Sequence, residues 1–144
     1  MRDPLRELGH DHADINRRVL ELAALIRSQD GELARPLREL REQLFLHFAR
    51  EEEGLFPFVR ETVPERAEHV QLMETAHDTI CGAVARMVHL ATAGGDRAAI
   101  AQLFQRFESA YGDHATAEAA LLAGLEQRLD AAQRARLADL VAGL

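Results

Sequence analysis

The chain has 144 residues, is 47% hydrophobic and 28% charged, and is therefore long and apolar enough to fold as one domain with a substantial core. Its net charge of −7 weighs against nucleic acid or an anionic membrane as the main partner, and the lack of a signal peptide or a membrane-spanning apolar run predicts a cytoplasmic protein. The single cysteine, Cys81, excludes an intramolecular disulfide and a zinc or iron–sulfur site built from cysteines.

Turn signals divide the chain into four long segments and a short tail; they lie at 28–32, 62–65, 93–96 and 129–133. Pro4 and Pro64 suit the first turns of the first and third helices, and Pro36 is tolerated in the opening turn of the second. Asp130 and Gln133 fit a capping box for a short C-terminal helix. No segment shows the alternation typical of a strand.

Each long segment carries an apolar stripe at helical spacing, interrupted by polar residues at one level only. The stripes are Leu5, Leu8, His12, Ile15, Val19, Leu22 and Ile26; Leu33, Leu37, Leu40, Leu44, His47 and Glu51; Val70, Met73, His77, Ile80, Val84 and Met87; and Ile100, Phe104, Phe107, Tyr111, His114, Glu118, Leu121 and Leu125. This pattern predicts an all-α, antiparallel up-down-up-down four-helix bundle. We expect one domain over residues 1–144, with its core at about 5–125 and a C-terminal helix at about 131–142.

The polar interruptions have a repeated form, in which the second and fourth helices each carry His-x-x-x-Glu and the first and third each carry one histidine. Residues four apart lie on one face of a helix, so each pair converges on one point. At about 1.5 Å of rise per residue, all six side chains fall in one layer of the bundle. They are His12, His47, Glu51, His77, His114 and Glu118.

A single inward histidine is commonly a hydrogen-bonded core residue, but six polar groups in one layer are difficult to bury without a cation. No lysine or arginine lies on the stripes to neutralise the glutamates. Imidazole and carboxylate suit iron, manganese or zinc, and six donors exceed the four that one tetrahedral zinc requires. They suit two metals bridged by both glutamates, with up to two positions per metal left for water, dioxygen or peroxide.

At this point the chain resembles the hemerythrin-like, or HHE cation-binding, family over roughly residues 5–125. The motifs that carry the resemblance are "DH" at 11–12, "HFAREE" at 47–52, "LFP" at 55–57, "AHDTI" at 76–80 and "YGDHATAE" at 111–118. The resemblance implies a left-handed four-helix bundle around two non-heme iron ions. It also implies roles in dioxygen binding, oxygen or redox sensing, iron handling or peroxide removal.

Carried over to this chain, the resemblance makes the four stripe histidines terminal ligands, and Glu51 and Glu118 bridging carboxylates. Oxygen-carrying hemerythrins have a further histidine one turn earlier on the third helix, where this chain has Met73. This departure weighs against simple oxygen carriage and favours sensing or peroxide chemistry.

Several other residues are alternatives for the site. His10 is the rival of His12, and His69 is the rival of His77. Tyr111 either packs in the core or directs its hydroxyl at bound peroxide, and Glu52 and Glu53 either face solvent or support a ligand histidine. Cys81 is best explained as a packing residue, with a redox role as the alternative.

The first functional hypothesis is a di-iron protein that takes dioxygen, peroxide or a similar small oxidant, with manganese or zinc as alternative metals. Catalase- or peroxidase-like activity and simple binding or sensing are equally compatible with the sequence. The second hypothesis is a non-catalytic bundle that metals stabilise and that docks a protein partner. A monomer and a homodimer both fit, since the tail either caps the bundle or dimerises.

Overall fold

The computed structural model describes the backbone of residues 4–142 and the side chains of residues 13–139 other than Leu122 and Glu126. This part of the chain is helical throughout and contains no strand, as the stripes predict. Its α-helices are α1 (Pro4–Ser28), α2 (Ala34–Arg50), α3 (Phe56–Thr62), α4 (Ala67–Thr92), α5 (Arg97–Glu126) and α6 (Ala131–Ala142). None of the described helices is long and apolar enough to cross a membrane.

Four antiparallel rods form the bundle: α1; α2 continued by α3; α4; and α5. Each packs against its sequence neighbour, and α1 also packs against α5, which closes the bundle. The buried apolar residues fall into two clusters. One contains Leu44, Ile80 and Tyr111 and the other contains Leu55 and Leu121. The polar layer lies between the two clusters, because the stripes change from one cluster to the other at that level.

The turn between α1 and α2 needs two residues with a left-handed backbone, Gln29 at φ 55° and Gly31 at φ 84°. The turn between α4 and α5 uses Gly94 at φ 69°, and the amide of the next residue donates a hydrogen bond of 2.7 Å to the carbonyl of Leu90. Asp96 then caps α5 by accepting a hydrogen bond of 3.0 Å from the amide of Ala98. The two turn signals at 28–32 and 93–96 therefore have a direct structural cause.

One turn of π-helix, Glu51–Leu55, joins α2 to α3 without breaking the rod; we call it the π segment. Its backbone hydrogen bonds span five residues, as in the bond from the amide of Phe56 to the carbonyl of Glu51. Pro57 follows at once, and a proline has no N–H and clashes with the carbonyl four residues before it in an α-helix. The wider turn therefore accommodates the proline inside a continuous helix.

Helix α6 packs against the π segment and α1, and Leu137 joins the apolar cluster there. Its start is the predicted capping box, in which the Asp130 side chain accepts from the amide of Gln133 at 2.7 Å and the Gln133 side chain accepts from the amide of Asp130 at 3.0 Å. Arg136 pairs with Glu61 of α3 at 2.9 Å. The C-terminal helix thus covers the end of the bundle below the polar layer.

Candidate metal centre

Five of the six predicted site residues are buried side by side in the layer between the apolar clusters. Their exposed fractions are 1% for His47, 0% for Glu51, 2% for His77, 2% for His114 and 0% for Glu118. His12 lies in α1, but its side chain and that of His10 are outside the described part of the chain.

Glu51 is the centre of the cluster. Its Oε1 lies 2.7 Å from Nε2 of His77 and 3.4 Å from Nε2 of His114, and its Oε2 lies 3.1 Å from Nε2 of His47. The two oxygens of one carboxylate thus face different histidines on different helices. Glu51 holds this position because α2 stays regular up to Arg50, so that His47 and Glu51 share a face.

Glu118 completes the layer from α5. Its Oε2 lies 3.1 Å from Nε2 of His114, and its Oε1 lies 3.7 Å from Nε2 of His47. Two groups of three donors result, one with Glu51, His77 and His114 and one with His47, Glu51 and Glu118; within each group the donor atoms lie within 4.8 Å of one another. Donors on one metal, at about 2.0–2.2 Å each, lie up to about 4.4 Å apart, so only small adjustments separate these groups from coordination geometry.

The imidazole of His77 is held on three sides. Phe48 stacks on one side at a centroid distance of 3.7 Å and an interplanar angle of 13°, and Phe56 stacks at 5.4 Å and 23°. Nδ1 of His77 lies 3.3 Å from Oε1 of Glu52. If Nδ1 donates its proton to this carboxylate, Nε2 keeps its lone pair and faces the cluster, as a metal ligand requires. The alternative prediction for Glu52, support of a ligand histidine, fits this contact.

The carboxylates change the acid–base behaviour of His114. Burial alone would lower its pKa, but the contacts with Glu118 and Glu51 and their negative charges raise the pKa to about 9. In the metal-free protein this ring is therefore protonated at neutral pH and offsets one of the two buried negative charges.

A divalent metal fits the layer because several of its polar atoms lack a well-formed protein hydrogen bond. Nδ1 of His114 is buried without a hydrogen-bond partner among the described residues, and Oε2 of Glu51 and Nε2 of His114 face the other imidazoles and carboxylates of the cluster. Buried polar atoms normally have such partners, and burying charge costs several kcal/mol per uncompensated ion. A bound cation would occupy the donors and compensate the carboxylates, so the residues present suit a metal.

Tyr111 and Cys81 lie near the layer and keep their protons. Tyr111 is 4% exposed and stacks on Phe107 at 5.8 Å and 10°, and burial, with the charges of Glu118 and Glu51, raises its pKa. The thiol of Cys81 is half-buried, and burial together with two nearby carboxylates raises its pKa to about 11. Since the thiolate is the reactive form, this environment gives no support to a redox role for Cys81.

The structure separates His69 from the cluster. Nε2 of His69 lies 3.3 Å from the carbonyl oxygen of Ala117, so this half-buried ring bridges α4 and α5. His77 takes the place in the layer for which His69 was the rival. Met73 lies one turn before His77 and is buried at 2% exposure. It adds no nitrogen to those of His77 and His114.

Two features of the site were not predicted, namely the π segment that begins at Glu51 and a groove between α4 and α5 that reaches His114. The sequence held one signal for the π segment, namely Pro57, six residues after Glu51. A proline inside a helix requires a local change in the backbone. The groove depends on how two helices pack and leaves no local signal.

The chain matches the model of a known protein family. Residues 3–126 match the model of the hemerythrin HHE cation-binding domain, which is nearly the whole chain. Comparisons with curated proteins and with solved structures found no significant match.

Proposed function

Because this chain belongs to the hemerythrin HHE cation-binding domain family and so binds metal cations, we propose that its buried layer holds two non-heme iron ions and takes dioxygen or peroxide. The protein would act in oxygen or redox sensing, oxidant scavenging or iron handling.

The observation that carries this proposal is the position of Glu51. It belongs to both groups of donors, and each of its oxygens faces a different group. A carboxylate with one oxygen towards each group suits a bridge between two metals. Glu118, whose oxygens face His114 and His47, would be the second bridge. The terminal ligands would be His47, His77, His114 and, as the sequence predicts, His12.

The donor types favour iron. The cluster offers imidazole and carboxylate, and the thiol of Cys81 is not part of either group. Manganese and zinc accept the same donors, although zinc prefers four ligands in tetrahedral geometry. Iron in this site would supply the electrons with which dioxygen or peroxide is reduced.

The chain's own residues support a reaction with an oxidant. Phe48 and Phe56 stack on His77, which is 2% exposed. Tyr111 retains its proton beside the charges of Glu118 and Glu51, so a hydrogen-bond donor is held next to the layer. Met73, in place of a further histidine, leaves one metal with fewer nitrogen ligands, which favours sensing or peroxide chemistry over simple oxygen carriage.

A metal count and an optical spectrum test the proposal. We expect protein reconstituted anaerobically with ferrous iron to retain two irons per chain, and addition of peroxide to produce iron charge-transfer absorption in the near ultraviolet and visible. Much less than two irons per chain, or an unchanged spectrum after peroxide, would contradict it. The Glu51→Ala variant should lose iron from both groups, whereas His47→Ala should retain part of it.

A non-catalytic bundle stabilised by metal is the second candidate. It is favoured by large apolar residues on the surface, such as Leu20 at 70% and Leu46 at 54% exposure, which suit a protein partner. A large rise in melting temperature on metal loading, with no reaction towards oxidants, would support this candidate against the first.

A further inference from the structure

A groove of about 330 Å³ lies between α4 and α5, outside the two donor groups but in contact with one of them. His114 is a wall of the groove and a member of the group formed with Glu51 and His77. The other lining residues are His69, Leu72, Met73, Ala76, Thr79, Ala110, Asp113 and Ala117. The groove is therefore in direct contact with His114, a predicted metal ligand.

The groove exists because small side chains face each other where the two helices pack. Ala76 on α4 and Ala110 and Ala117 on α5 leave space that larger residues would fill. The contact between His69 and the carbonyl of Ala117 joins the two helices at the groove. Leu72, which is 67% exposed, extends the apolar wall to the surface.

The lining decides which kind of molecule fits. Most of the walls are apolar, and Asp113 among the polar lining residues is exposed and repels anions. An uncharged molecule with an apolar body matches these walls. The volume is also informative, since a water molecule has about 30 Å³ of liquid volume and the groove has room for a body several times larger than dioxygen or hydrogen peroxide.

Met73 lines the groove together with His114, is 2% exposed, and precedes His77 by one helical turn. Methionine is unbranched and has three rotatable bonds, so its side chain can change position without moving the helix. The polar end of a molecule in the groove would reach the donor group by displacing this side chain.

We propose that the groove binds a small organic hydroperoxide, with its alkyl or aryl body between α4 and α5 and its O–O end towards Met73 and His114. This inference rests on the proposed function and names the substrate class for the same site. The O–O bond breaks, the hydroperoxide takes up two electrons and two protons, and an alcohol and water leave. The electrons come from two ferrous ions, which become ferric, and the protons come from solvent.

The first test measures binding without chemistry. Cumyl alcohol has the body of cumene hydroperoxide but no O–O bond, and it is titrated into the zinc-loaded full chain, which is diamagnetic. We expect saturable NMR shifts at the amides of Ala76, Ala110 and Ala117, with a dissociation constant on the order of millimolar. If these amides do not shift, or if they shift when the protein alone is concentrated because a second copy covers the groove, the proposal is wrong.

The second test compares oxidants. The ferrous protein is mixed with cumene hydroperoxide or hydrogen peroxide, and the two oxidation rates are expressed as a ratio. We expect Ala76→Leu, which fills the groove, to lower this ratio at least fivefold. The matched control is Ala85→Leu, the same change on the same helix but in a surface recess away from the cluster.

A variant at an exposed position guards against misfolding. Leu72→Glu places a charge at the mouth of the groove and should also lower the ratio, whereas Leu20→Glu, at an equally exposed leucine of α1, should not. A ratio unchanged in both groove variants, with hydrogen peroxide still reacting, overturns the hydroperoxide site and leaves the proposed function intact. No oxidation by either oxidant would instead overturn the proposed function.

Discussion

At the scale of single residues, His77 shows how much of a ligand's behaviour depends on its neighbours. The stripe predicts that this ring points inward, and the structure confirms that it is buried. Periodicity could not establish that Phe48 and Phe56 stack on it, because those residues come from another helix and their contact depends on packing. The sequence could not decide whether Glu52 faces solvent or supports a histidine, because that depends on how its helix is rotated relative to α4.

Glu52 should strengthen metal binding through His77. Replacing it by alanine removes the acceptor 3.3 Å from Nδ1, which leaves the tautomer and orientation of the ring less fixed. Loss of such a partner typically costs about 10–100-fold in metal affinity, and the partial exposure of Glu52 places the expected loss nearer tenfold. Chelator competition with zinc measures the affinity. Glu53→Ala is the matched control, and equal losses in both variants would mean that only local charge matters.

The metal-free protein should lose stability as the solution becomes alkaline. The pKa of His114 is raised from 6.5 to about 9 in the folded state, so its contribution is complete below about pH 6.5 and is lost as pH rises through about 9. The contribution is on the order of 1–3 kcal/mol. Urea denaturation between pH 6 and pH 10 measures it, and the His114→Gln variant should show a correspondingly smaller decline.

At the scale of elements, the helices and their ends were predictable because their causes are local. The capping box at Asp130 and Gln133 needs only residues three apart, and the structure has both of its hydrogen bonds. The π segment was not predictable from its own letters, since glutamate and leucine suit an α-helix equally well. The π segment is explained by Pro57, which lies within the continuing helix instead of ending it.

Deletion of Glu53 tests the link between the π segment and Pro57. Removing one residue should convert the wide turn to an α-turn, and Pro57 would then clash with a carbonyl and cost about 3 kcal/mol. The loss should be largely recovered by Pro57→Ala in the deletion background, because alanine restores the missing N–H. Thermal unfolding measures both, with Glu53→Ala as the control that keeps the chain length. A loss that Pro57→Ala does not relieve would assign the π segment another role.

At the scale of the whole molecule, the sequence predicts the bundle and the level of the polar layer, because both follow from the period and length of four segments. It does not predict the groove between α4 and α5. Alanines at helical spacing on both helices are compatible with close contact as well as with a gap. The size of that gap depends on the packing of the complete bundle.

Arg97 should contribute to the stability of the whole bundle from its edge. Its guanidinium donates to the carbonyl of Gly31 at 2.9 Å and to that of Leu25 at 3.0 Å, which ties the start of α5 to the end of α1. We expect Arg97→Ala to lower the free energy of unfolding by about 1–3 kcal/mol. Chemical denaturation checks this, and Arg106→Ala, at an exposed position within α5, should change it by less than about 0.5 kcal/mol. Equal effects of the two substitutions would mean that the hydrogen bonds of Arg97 do not stabilise the bundle.

The wide separation of the cluster's donors along the chain also has a consequence for the order of events on the ribosome. Among the described donors, His47 comes from α2, Glu51 from the π segment, His77 from α4, and His114 and Glu118 from α5, so Glu118 is the last of them in the chain. At about 5–20 residues per second, the roughly 70 residues between His47 and Glu118 take roughly 4 to 14 seconds to translate. Throughout that interval the nascent chain displays an incomplete set of ligands. A metal that requires the complete cluster would therefore be acquired late in biosynthesis, and a chain that stops short of Glu118 never completes the cluster.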